Sequence, residues 1–121
     1  MEFKKFKAAT VQTSPVFLNV EKTVNKAISF IKEAASNQAK LIAFPEVFIS
    51  GYPYWNWIMT PVQGSKRYEE LYKNSVDISG PEIKKLCLAA KENDMHIVMG
   101  INERGKSYGE IYNTNLIIDN K

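Results

Sequence analysis

Short apolar runs alternating with segments of helical periodicity predict an α/β layered fold for this 121-residue chain. Three observations carry that class. Four apolar, strand-like segments recur along the chain. Two amphipathic stripes with 3.6-residue spacing lie between them. The resulting order, β-α-β-(loop, α)-α-β-β, calls for at least two parallel crossovers.

The first strand is expected over Phe6–Gln12 and reads as mostly buried; Ser14-Pro15 ends it. Asn19 can cap a helix that runs to about Asn37, with Val20, Val24, Ala27, Ile28, Ile31, Ala34 and Ala35 on one face. Lys22, Lys26 and Lys32 fall outside that stripe, where solvent would take them. Leu41–Phe44 is the second strand, and its unbroken apolar character suggests a parallel strand covered on both faces. Gly51–Gly64 is irregular, rich in proline and in Tyr and Trp, and a long loop of this composition is usually functional or packed on a partner.

A short helix fits Ser65–Asn74. Ser79 or Gly80 then caps another, with Pro81 in its first turn, Glu82 favourable to its dipole, and Ile83, Leu86, Cys87 and Ala90 as its buried stripe. Cys87 is accordingly expected to be a small buried hydrophobe rather than a nucleophile. Met95–Ile101 is the third strand, Glu103–Gly109 a turn, and Ile111–Ile118 a fourth strand that pairs with the third as a hairpin. Asp119-Asn120-Lys121 is a turn signal directly after a strand, which suggests the front portion of a longer fold.

Composition narrows the function classes. Apolar residues at 45% and charged residues at 24% describe an ordinary soluble domain of one unit, residues 1–121. The net charge of +3 is scattered, so no basic stripe argues for nucleic acid. No run approaches a membrane span, and the N-terminus is too polar for a signal peptide. A single cysteine permits no internal disulfide and fits a reducing compartment, so the expected location is the cytoplasm. His96 has no second ligand at metal spacing, and no metal is expected.

The most informative stretch is Leu41-Ile-Ala-Phe-Pro-Glu46, followed by Gly51-Tyr-Pro-Tyr-Trp55. A buried strand that stops at a proline and one carboxylate, beside an aromatic bend, can present a single acid to a pocket. The plainer alternative is a strand-end carboxylate, exposed or paired with a lysine.

With the opening Ala9-Thr-Val-Gln12 and the later Tyr112-Asn-Thr114, these residues resemble the nitrilase (carbon–nitrogen hydrolase) superfamily over essentially the whole chain. The Tyr-Pro-Tyr-Trp continuation is more similar to the nitrilase branch than to the amidase or carbamoylase branches. The resemblance implies the N-terminal part of an α-β-β-α sandwich and a Glu-Lys-Cys triad that works without cofactor. Glu46 would be the general base that takes the proton of a cysteine thiol as it attacks a nitrile or amide carbon. Tyr52 would line the substrate pocket, and Trp55 and Trp57 could line it or contact a second subunit.

The chain departs from the pattern in two places. The positions for the family's lysine and cysteine are not among these residues: Lys121 matches a turn position and Cys87 lies in an unrelated helix. Gln38 stands where the family usually has a helix-ending glycine, and would hold a left-handed conformation at a cost of ~1 kcal/mol. The implied partners are a small nitrile or amide and either further copies of the chain or the absent C-terminal half. A catalytically silent fragment or interaction module is the competing class.

Overall fold

A computed structural model describes residues 3–121. The elements follow the expected order: β1 (Lys7–Thr10), α1 (Val20–Ser36), β2 (Ala39–Ala43), one 3-10 turn (Tyr54–Trp57), α2 (Ser65–Lys73), α3 (Pro81–Glu92), β3 (His96–Arg104) and β4 (Ile111–Ile118). The four strands form one sheet in the order β1-β2-β3-β4, parallel across the first two pairings and antiparallel across the last.

Local chemistry sets the helix ends. The Asn19 side chain accepts from the Lys22 amide at 3.0 Å and starts α1. Gly80 precedes Pro81 at the first position of α3, where the missing N–H leaves nothing unpaired. After α1 the chain reverses through Gln38 at φ +67°, the left-handed conformation expected of that position.

Helices α1 and α3 cover one face of the sheet. Val24, Ala27 and Ile31 of α1, with Ile83, Leu86 and Ala90 of α3, pack on Ile42, Ile97, Met99, Ile101 and Ile118. Each large member of this cluster contributes about 1.5–3 kcal/mol by leaving water. The strand residues that alternate with these face the other way. Leu41, Ala43 and Val98 are partly exposed, and Ile117 is 77% exposed.

Four expectations require correction. β1 is shorter than expected and largely exposed: it is an edge strand, only Ala9 within it packs against the core cluster, and Phe6 is exposed. β2 is parallel to both neighbours but covered on one face only, because both long helices lie on the same side. Cys87 is exposed. It follows Leu86 on the helix, so the buried stripe runs through Ile83, Leu86, Ala89 and Ala90 and leaves Cys87 beside exposed Leu88. β3 also outruns its expected end, reaching Arg104 before the hairpin turn.

Candidate active site

The edge of β3 explains how the acid is presented. β2 pairs with β3 through Leu41–Ala43, and the Phe44 amide continues the ladder by donating to the Val98 carbonyl at 2.9 Å. The next donor to β3 is the Ile49 amide, which reaches the Gly100 carbonyl at 3.1 Å. Pro45–Phe48 are therefore an insertion between two adjacent rungs, and they bulge out of the strand. Pro45 brings no N–H that would need a partner in the ladder.

The bulge lies on Gly100. A Cβ there would stand 2.3 Å from the Pro45 carbonyl oxygen, so only glycine lets the two backbones approach this closely. Val47 takes φ +41°, a left-handed conformation that is unfavourable for a β-branched residue. The buried side chain of Asn102 holds the far end of the segment by donating to the Ile49 carbonyl at 3.3 Å and the Gly51 carbonyl at 2.9 Å. Gly51 itself sits at φ +119°, and a Cβ would strike the Phe17 ring. Further along β3, Arg104 donates to the Tyr72 and Ser75 carbonyls at 3.2 and 2.9 Å and lies over the Tyr72 ring, fixing the end of α2.

Glu46 is thus delivered beyond the end of β2, at the side of the sheet that the helices leave open. Its side chain is exposed to solvent, yet it borders a concave surface. A pocket of about 260 Å³ is lined by Glu46, Val47, Tyr52, Pro53, Asn56, Tyr68, Leu71, Asn102, Ile111 and Asn113. Asn113, on β4, donates from Nδ2 to Glu46 Oε1 at 2.7 Å. Asn113 is the register partner of Asn102, so two asparagines facing each other across neighbouring strands hold the carboxylate and its loop.

The sequence-expected residues divide cleanly. Glu46 and Tyr52 line the same pocket, and the Tyr52 ring lies 5.0 Å from that of Tyr54. Trp55 is buried, edge-on at 6.2 Å to Phe17 of the segment before α1, while Tyr54 and Trp57 are exposed. Thr114 donates to Glu103 rather than to the site. His96 opens β3 with an exposed side chain. Among the described residues, neither a lysine nor a cysteine lines this 260 Å³ pocket.

Asn102, and the use made of Asn113, were missed by reading the sequence. The available signal was the polar run Asn113-Thr-Asn115 within β4, whose two asparagines stand opposite Asn102 and Gly100 on the next strand.

The model for the carbon–nitrogen hydrolases matches residues 7–121. The chain belongs to the carbon–nitrogen hydrolase family. Among its relatives within that family is an aliphatic nitrilase of Rhodococcus rhodochrous, 44% identical over 115 residues that span 94% of this chain and 31% of that protein. A cyanide hydratase of Leptosphaeria maculans is 40% identical over 103 residues, 85% of this chain and 29% of that protein. The Nit3 structure of Saccharomyces cerevisiae, of the nitrilase superfamily, shares the fold with a TM-score of 0.64 at 23% identity, over 91% of this chain and 38% of that one. The chain therefore spans about a third of the length of the curated hydrolase relatives it matches.

Proposed function

We propose that this chain supplies the general base of a nitrile-hydrolysing enzyme, with Glu46 as that base and Tyr52 as a wall of the substrate pocket. The observation that carries the reading is the construction around Glu46. A strained bulge, a glycine without which the bulge would clash, and a hydrogen-bonded asparagine all converge on one carboxylate at a pocket. Core packing needs none of these. Similarity to aliphatic nitrilases supports a nitrile as substrate.

In this reading a cysteine thiol gives its proton to Glu46 and attacks the nitrile carbon, a lysine stabilises the charge that develops, and water releases a carboxylic acid and ammonia. Since the pocket of Glu46 is lined by neither lysine nor cysteine, we infer that both come from polypeptide outside these 121 residues. That polypeptide, or another copy of the chain, would also cover the open sheet face bearing Ile117.

The test is ammonia release from simple aliphatic nitriles by the native gene product. Activity without added metal is expected, with Glu46→Gln reducing it to background while the far-UV spectrum stays unchanged. Full turnover by Glu46→Gln would remove the base assignment. The 121 residues alone are expected to release no ammonia and to associate or aggregate. A sharp monomer peak with cooperative unfolding would count against the need for a covering layer.

A second reading concerns the product. The cyanide hydratase relatives favour an enzyme that stops at the amide, and measuring amide beside acid in the same assay separates the two outcomes.

A further inference from the structure

We propose that Asn113 is a positioning residue that decides which oxygen of Glu46 does chemistry. The inference rests on the reading of Glu46 as a base, and it goes beyond that reading by assigning work to a residue on a different strand. An ionised carboxylate only accepts hydrogen bonds, so the contact orients the asparagine amide with Nδ2 toward Glu46 Oε1. The hydrogen bond at 2.7 Å occupies one lone pair of Oε1 and lowers its basicity, so Oε2 is the better proton acceptor of the two.

The placement of Asn113 is itself well determined. It stands in register with Asn102 on β3, and Asn102 clamps the backbone on the far side of Glu46 through the Ile49 and Gly51 carbonyls. Glu46 is exposed and lies on a bulge, so its side chain would otherwise sample several rotamers. One strong hydrogen bond to a charged acceptor suffices to select among them. A base held in one orientation keeps reactants in line, and a misplacement of about 1 Å can cost on the order of 100-fold in rate.

The first variant is Asn113→Asp in the native gene product, because it keeps size and strand position but has no proton to donate at neutral pH. Relative to wild type, kcat on an aliphatic nitrile is expected to fall about 10- to 100-fold at pH 8, with KM nearly unchanged. The deficit should narrow as the pH is lowered toward 5, because the Glu46 carboxylate beside it raises the proton affinity of the new carboxyl, which can then donate again. Asn113→Leu should lose a similar factor at every pH. A merely structural role for Asn113 would leave kcat per folded molecule within twofold of wild type in Asn113→Leu, which sets no new charge beside Glu46, and that result overturns the proposal.

A second measurement is independent of turnover. In protein labelled with 15N-asparagine, the Asn113 side-chain amide signals should move as Glu46 titrates, and Glu46→Gln should flatten that response. Signals that ignore the titration in the wild type overturn the proposal even in an active enzyme. A wild type that shows the response but hydrolyses no nitrile instead removes the functional reading on which the inference stands.

Discussion

Gly100 lies directly beneath the backbone that carries Glu46: a methyl group there would meet the Pro45 carbonyl oxygen at 2.3 Å and the Val47 amide nitrogen at 2.5 Å. Both neighbours are backbone atoms, so neither can swing aside as a side chain would. Gly100→Ala is expected to destabilise the protein by about 1–3 kcal/mol, as overpacking in a closed site does, or to lift the bulge and part Glu46 from Asn113. Denaturant unfolding reads the first outcome. The Asn113 amide signals read the second. A variant with unchanged midpoint and unchanged signals would mean that the two backbones do not touch in solution.

Gln38 holds φ +67° where glycine would be relaxed. Relief of the left-handed strain, ~1 kcal/mol or more, exceeds most of the entropy that glycine adds to the unfolded chain. Gln38→Gly should therefore raise stability by about 0.5 kcal/mol, and Gln38→Val should lower it, since branching at Cβ worsens the clash. Urea midpoints for the three proteins should fall in the order Gly, Gln, Val.

Cys87 is exposed, so its thiol should react with a disulfide reagent in the folded protein at a rate close to that of a free thiol. Cys87→Ser should change stability by no more than about 0.5 kcal/mol, as surface substitutions do. A thiol that reacts only after denaturant is added would return Cys87 to the buried stripe that its spacing suggested.

Asp94 sits just after α3, at φ +48°, and its carboxyl is held below its ordinary pKa. The hydrogen bond from Lys40 contributes most, followed by that from Asn120 and the Lys40 charge. A lowered carboxylate value means that the folded state favours the ionised form. The resulting stability is present above the unfolded-state value and disappears as the pH falls through the folded-state value. Asp94→Asn tolerates the same backbone but carries no charge. The difference in unfolding midpoint between wild type and Asp94→Asn should be small at pH 7, because both partners are exposed, and should shift against the wild type as acid is added.

Much of the fold was legible because its signals are local. Asn19, Pro81 and the apolar runs of β3 and β4 each depend on neighbours in sequence, and those elements lie where the pattern puts them, apart from the longer C-terminal end of β3. The misjudgements concern what covers what. Leu41 and Cys87 are apolar in an apolar context, and Phe6 opens the first apolar run, but burial depends on which face α1 and α3 occupy, and periodicity along one strand or helix does not contain that information. In the site, Glu46 and Tyr52 stood out through the Phe-Pro-Glu and Gly-Tyr-Pro punctuation. Asn102 and Asn113 did not, because a polar residue in a strand gains meaning only from its register partner and from the loop that crosses above it.

The dependence of the Glu46 bulge on β3 and β4 has a consequence for biosynthesis. Asn113 follows Glu46 by 67 residues. At about 5–20 residues per second, the acid leaves the ribosome roughly 3–13 s before its last tether is made. Throughout that interval the aromatic bend after Glu46 is a nascent segment with no template to fold on, open to chaperones and proteases. A pause in translation ahead of the codons for β3 would prolong that exposure, whereas one after β4 would not.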